Sequence, residues 1–192
     1  MPRPPLARYR ILSAARHIVE RDGAGALTFD ELVRESGITR GGITYHFPTK
    51  EDLLRGLLEA DFRQWDDAEA ALTPSDCDPE TARLLGFIRT LTAQDESHRR
   101  FLCGMLSAAT LDPSLMDPCR QELKDRLGRK QWTDRDLRLH LVHLAAEGLM
   151  WQELFQMYAM PAAARARLVA LMEDLARQWG AGQTQKKTAK EA

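Results

Sequence analysis

Three helix starts within the twenty-two residues from Thr28 to Thr49 restrict this chain more than any other feature of its sequence. Thr28 is followed three positions later by Glu31, the spacing of a capping box, and Leu27 and Leu32 flank it as a hydrophobic staple. Thr39 repeats the cap between Ile38 and Ile43, and Thr49 repeats it with Asp52 at the third helical position. The first of these helices must stop at Gly37, which takes the left-handed conformation without penalty. Ile38 plugs the corner and Thr39 restarts the chain, so residues 28–47 have the length and punctuation of a helix-turn-helix. Pro48 separates the second helix of the pair from the next element, because the residue before proline is pushed out of the helical region.

Helical signals continue on both sides. Ile11, Ala14, Ala15, Ile18 and Val19 share one face of a helix that Asp22-Gly23 ends. A longer helix over 49–72 carries Leu53, Leu54, Leu57, Leu58, Phe62 and Trp65, and Thr73-Pro74-Ser75-Asp76 follows as a loop. Further helices are expected at about 79–93, 96–110, 114–129, 134–158 and 162–179, broken at Asp112-Pro113, Trp132-Thr133-Asp134 and Met160-Pro161. Strictly alternating, β-branched runs are absent, so the expected class is all-α: an N-terminal helix-turn-helix domain over 1–50, a helical domain over 51–179, and a disordered tail over 180–192 that has no apolar anchor.

Charge separates the two parts. Residues 1–50 carry eight Lys/Arg against five Asp/Glu, whereas the remainder carries 19 against 23. A positive head on a negative body is the distribution expected when only the head meets phosphates. No apolar run supplies a signal peptide or a membrane span, which points to the cytoplasm. Cys77, Cys103 and Cys119 are odd in number and widely spaced, so reduced thiols are expected, at least one of them in the core.

Arg40 lies in the first turn of the second helix of the pair, where DNA-reading helices of this motif present base-contacting side chains. Gly41 and Gly42 follow it, at a cost of about 1 kcal/mol each relative to alanine. A groove wall close to the backbone accounts for them, and their missing side chains leave Arg40 room to reach a guanine edge.

The run from Gly37 to Leu54, Gly-Ile-Thr-Arg-Gly-Gly-Ile-Thr-Tyr-His-Phe-Pro-Thr-Lys-Glu-Asp-Leu-Leu, resembles the recognition-helix pattern of the TetR family of transcriptional regulators, and the resemblance covers residues 6–58. It implies that Tyr45, His46 and Lys50 contact phosphates, with Thr28 and Thr39 offering hydroxyls and helix N-termini to the same oxygens. It implies base reading by Arg40 and, secondarily, Thr44. Thr44 and Gly42 depart from the commonest residues of the pattern, tyrosine and alanine, and this bears on operator sequence rather than on fold. The resemblance further implies a repressor that binds a palindromic operator as a homodimer and is released by a small molecule held among the helices of the body, with no cofactor.

Two faces of the segment 134–158 support the dimer. Leu137, Leu141, Leu144, Gly148 and Trp151 run along one line, and Leu139, Val142, Ala146, Leu149 and Met150 along another. The helix 162–179 adds Leu168, Leu171, Met172, Leu175 and Trp179, so these two helices are expected to form a four-helix contact across a two-fold axis.

For the effector, the large soft and aromatic side chains of the middle helices are candidates: Trp65, Phe87, Phe101, Met105, Met116, Met150, Trp151 and Phe155. Glu147, a carboxylate in an apolar stretch, needs either an internal Arg or His partner or a lipophilic cation. The internal partner is preferred, which ranks a hydrophobic or aromatic effector above a cationic one.

Two other classes compete with this reading. His140, His143 and Glu147 share one helical face and on spacing alone suit a metal-dependent helical enzyme, but no nucleophile elbow or phosphate-binding loop accompanies them, and neither a catalytic nor a metal site is assigned. A ligand-independent DNA-binding protein would spread positive charge widely and leave the negative body without a task.

Overall fold

The computed structural model describes residues 6–181; the expected tail at 180–192 lies, apart from its first two residues, outside the described residues. All elements among them are helical: α1 (Leu6–Asp22), α2 (Phe29–Ser36), α3 (Arg40–His46), α4 (Lys50–Leu72), α5 (Pro79–Thr92), α6 (Glu96–Leu111), α7 (Asp117–Leu127), α8 (Asp134–Leu154) and α9 (Ala162–Gly180), with short 3-10 turns at Ala24–Ala26 and Pro113–Met116.

Contacts divide these elements into two compact units. The first comprises residues up to Gln64 together with Asp95–Lys124. Its core joins Ile11, Ala15, Ile18, Leu32, Ile43 and Leu53 to Phe101 and Met105 of α6. Gly104 permits the close approach of α6 to α1, since a Cβ there would stand 2.6 Å from Val19 Cγ1 and 3.3 Å from the Val19 carbonyl oxygen. Arg16 of α1 lies with its guanidinium 4.2 Å from the centre of the Phe101 ring, donates to Asp61 Oδ1 at 2.7 Å, and sits 3.1 Å from His98 Nδ1. The buried Asp61 carboxylate is thereby paired, as burial of a charge requires.

The second unit comprises Trp65–Gln94 together with the chain from Asp125 onward. Here α5, α8 and α9 pack around Leu85, Ile88, Leu139, Val142, Ala146 and Met172. Arg89 of α5 grips Glu173 of α9 through two bonds of 3.0 and 2.7 Å, a bidentate pair that also fixes the register of the two helices.

Local chemistry explains most boundaries. Thr28 accepts the Glu31 N–H, Thr39 accepts the Gly42 N–H, and Thr49 and Asp52 close a reciprocal box. At Thr28 only half of the expected box forms, because the Glu31 carboxylate is taken by Arg21 and Arg34. The expected helix at 114–129 opens instead as a 3-10 turn and is α-helical only over Asp117–Leu127.

The expected helix at 134–158 ends at Leu154, leaving Phe155 outside it. Gln156 adopts φ 50°, the Met157 N–H reaches back to the Gln152 carbonyl at 2.9 Å, and the Gln156 N–H bonds the Glu153 carbonyl at 3.1 Å. This is a Schellman stop built without glycine, which is why nothing in the sequence announces it. None of the three cysteines is fully buried: Cys103 is exposed and Cys77 and Cys119 are intermediate, against the expectation of a core thiol.

Candidate functional site

Gly37 has φ 66° and ψ 15°, the left-handed corner between α2 and α3. Arg10 of α1 donates to the Ser36 carbonyl at 2.8 Å, so the C-terminus of α2 is capped from outside the motif. Ile43 and Phe47 are buried and anchor α3, while Arg40, Gly41 and Tyr45 are exposed and Thr44 is half-buried. Positions 40, 41, 44 and 45 fall on one side of a helix of 3.6 residues per turn, so anchoring by Ile43 turns that side outward. Tyr45 is 82% exposed, with its ring edge-on to His46 at 5.1 Å between centres.

Arg40 is parked. Its Nη1 donates to Asp30 Oδ1 at 2.8 Å and its guanidinium lies 5.4 Å from the Phe29 ring centre. Both partners of the ion pair are largely exposed, so solvent screening leaves it worth little and Arg40 separates from Asp30 readily. Thr44 donates its hydroxyl to the Arg40 carbonyl at 3.1 Å, and Lys50 Nζ donates to the Gly25 carbonyl at 3.4 Å.

The two glycines differ. A Cβ on Gly41 would meet open space, whereas one on Gly42 would come within 2.9 Å of Ile38 Cγ2. Gly42 therefore has a packing reason within the corner itself, beyond the groove contact inferred from sequence; Gly41 has none among the described residues.

A concave feature lies within the second unit: a cavity of about 590 Å³ between α5, the end of α7 and the first half of α8. That is within the usual size of small-molecule sites, roughly 300–1,000 Å³. Of the nine residues expected to meet an effector, Phe87 lines it. Trp65 stacks obliquely on Phe87 at 5.8 Å, and Met150 packs half-buried against the same core. Trp151 and Phe155 stack on each other at 5.8 Å but are both exposed. Phe101 and Met105 are buried in the core of the first unit, where Met116 is half-buried at the end of a 3-10 turn.

The partner of Glu147 is internal. His143 Nε2 lies 3.2 Å from Glu147 Oε1, and hydrogen bonding from this nitrogen, in the tautomer that protonates it, holds the carboxyl below its ordinary range despite the opposing effect of burial. His143 stacks on Phe87 at 4.2 Å and lies parallel to His140 at 6.0 Å. His140 is pushed below the ordinary histidine range, first by burial and then by the neighbouring His143. Among the described residues no group of three His, Cys, Asp or Glu side chains is arranged to hold a metal ion.

Sequence reasoning missed the cations of this cavity, which include Arg83, Arg126, Arg129, Lys130 and Arg135. The available signal was the local basic run Lys124, Arg126, Arg129 and Lys130 at the end of α7.

Residues 11–57 match the family model described as bacterial regulatory proteins of the tetR family, and residues 81–177 match the tetracyclin repressor-like C-terminal domain. Two transcriptional regulators of Pseudomonas putida, SrpR and TtgW, are each 35% identical over 51 residues, 27% of this chain. The matched stretch spans 24% of SrpR and 38% of TtgW, well under two thirds of either.

Solved structures match over nearly the whole chain. A TetR-family regulator from a Rhodococcus species superposes with a TM-score of 0.65 at 17% identity, covering 90% of this chain and all of that one. A transcriptional regulator from Saccharomonospora viridis in complex with choline gives 0.64 at 22% identity, covering 88% and 94%. The multidrug-binding protein EbrR complexed with ethidium gives 0.60 at 19%, covering 90% and 99%. At such identities these likenesses concern the fold.

Proposed function

This chain belongs to the TetR family of regulatory proteins, and on that premise we propose that it is a repressor that binds a palindromic operator as a homodimer and releases it when a small effector enters the helical body. The observation that carries the reading is the outward side of α3. Ile43 and Phe47 hold the helix in the core while Arg40, Gly41, Thr44 and Tyr45 are left for DNA. Arg40 leaves Asp30 for a guanine edge, with Thr44 beside it. Tyr45, His46, Lys50 and the caps at Thr28 and Thr39 contact phosphates and set the register. On this reading residues 1–50 are the DNA-binding part and 51–179 the effector-binding and dimerising part. The chain works as a cytoplasmic regulator and not as an enzyme; among the described residues no helix is long and apolar enough to cross a membrane.

Dimerisation is supported by the division of α8. Leu139, Val142, Ala146 and Leu149 are buried within the second unit, whereas Leu137, Leu141, Leu144 and Trp151 stay exposed on the other line, as does Leu171 on α9. Such a surface on a regulator suits a partner, and a second copy supplies the second recognition helix, about one DNA turn or somewhat more from the first. The ranking of a hydrophobic or aromatic effector first is supported by Phe87 in the cavity and by the internal partner of Glu147. The choline and ethidium complexes of structurally similar proteins support a small-molecule task for this fold. Helix α4 belongs to both units in chain terms, through Leu53 and Trp65, and serves as the lever between sensing and binding.

Selection of bound sequences from random duplex DNA, followed by fluorescence anisotropy at two salt concentrations, tests the operator reading. A two-fold symmetric consensus is expected. Recovery of sequences no different from the starting pool would overturn it.

A further inference from the structure

The charge lining the cavity of the second unit is one-sided. Five Arg/Lys side chains line it against the two carboxylates of Glu80 and Asp136. Those carboxylates are already engaged: Glu80 pairs with Lys130 and Arg135, while Asp136 pairs with Lys130 at 3.4 Å and closes the N-terminal cap of α8 with Thr133. Arg83, Arg126 and Arg129 therefore face the same space with no carboxylate in ion-pair contact among the described residues. Apolar surface comes from Leu84, Phe87, Leu127 and Leu139.

We infer that this cavity binds a small amphipathic anion, a hydrocarbon or aromatic body carrying one carboxylate, with Arg126 as its principal partner and Arg83 and Arg129 in support. The inference rests on the reading that this half of the chain senses a small molecule, and it names the chemical class. Arginine suits the task because its planar fork meets a carboxylate with two parallel N–H donors and gives up its hydration more readily than an ammonium.

The position of Arg126 supports the choice. Its Nη2 lies 2.9 Å from His143 Nε2, and its guanidinium lies 6.0 Å from the centre of the Phe87 ring. Glu147 Oε1 is 3.2 Å from the same histidine nitrogen. One ring nitrogen cannot accept from Arg126 and donate to Glu147 at once. A ligand carboxylate that draws the Arg126 N–H groups to itself leaves that nitrogen to carry a proton for Glu147. Ligand capture is thus coupled to the hydrogen bonding of α8, the helix proposed above to hold the dimer. The same excess of positive charge disfavours quaternary ammonium ligands, so this chain differs in effector charge from the choline-bound and ethidium-bound proteins it resembles.

The intact protein is tested with two series that vary only the headgroup: decanoate, decanamide and decyltrimethylammonium, then phenylacetate, phenylacetamide and benzyltrimethylammonium. Calorimetry and thermal melting report binding, and anisotropy of labelled operator reports release. In at least one series the carboxylate is expected to bind about tenfold or more tightly than its amide, with the ammonium weakest. Arg126→Gln should remove about tenfold of the carboxylate affinity and leave the amide unchanged. Arg83→Gln, on the exposed side of α5, repeats the test at a second site. Equal binding of all headgroups, a preference for the ammonium, or no binding in either series would overturn the anionic site. DNA release by the amide or ammonium would then leave effector sensing standing without it. Carboxylate binding that leaves operator affinity untouched would instead uphold the site and sink the sensing role.

Discussion

Leu141→Glu should split the proposed dimer while leaving the protomer folded. Leu141 is 59% exposed on the outer line of α8, so its substitution disturbs little within one protomer. Full burial of a leucine side chain stabilises by roughly 1.5–3 kcal/mol. With a little over half of that burial left for the partner to provide, each Leu141 contributes about 1–2 kcal/mol at the interface. Two-fold symmetry doubles the loss to about 2–4 kcal/mol, which weakens the dimer about 30- to 1,000-fold. Two carboxylates brought near the axis add desolvation and like-charge repulsion, so the upper end of that range is expected. Sedimentation velocity across a dilution series measures the shift, and the unfolding free energy of the monomer, expected to change by less than about 0.5 kcal/mol, shows that folding is spared. Operator binding should fall with the dimer, because one recognition helix covers only one half-site. A Leu141→Glu protein that dissociates at the same concentration as the parent, or a parent that is monomeric at micromolar concentration even with operator present, would refute the assignment of this face.

Arg40→Ala should lose about 1–3 kcal/mol of operator affinity together with base preference, whereas Tyr45→Phe and Lys50→Ala should weaken selected and random duplexes alike; competition anisotropy separates the two patterns. Gly104→Ala places a Cβ 2.6 Å from Val19 Cγ1 and should cost about 1–3 kcal/mol in chemical denaturation, with secondary structure retained. His98 is held below the ordinary histidine range, chiefly by burial and also by the Arg16 charge, against the opposing Asp61. The folded protein therefore binds fewer protons than the unfolded chain just below pH ~6.5, so stability should be level above that pH and fall as the pH drops toward the lowered value. Denaturation midpoints of the parent and His98→Gln compared between neutral and mildly acidic pH check this; an equal slope in both proteins would remove His98 as the cause.

Helix positions were legible wherever the deciding chemistry is local. Thr39 and Thr49 each accept the backbone N–H three residues ahead and so cap the helices they precede, Gly37 turns the corner alone, and Ile43 and Phe47 are spaced to face inward whatever they meet. The division of α8 into a buried and an exposed apolar line follows from its helical period in the same way. The glycine-free stop at Gln156 escaped, because its left-handed residue is held by hydrogen bonds and not announced by residue type.

What only the tertiary structure decided is which distant residues share a space. The docking of α6 on α1 through Gly104 and Val19 brings together positions more than eighty residues apart, and no periodicity encodes that pairing. Bulky apolar side chains are the residues a sequence offers as effector contacts, yet Phe101 and Met105 close the core of the first unit, and the cavity of the second sets five cations around a mainly apolar lining. A sequence states that Arg126, His143 and Glu147 carry titrating or charged groups; folding determines that two of them claim one nitrogen and that Glu80 neutralises Lys130 and Arg135 but not Arg126. Helix capping and amphipathic period act over three or four residues and are written in order along the chain, whereas the electrostatics of a cavity depend on through-space distances that exist only after the chain has packed.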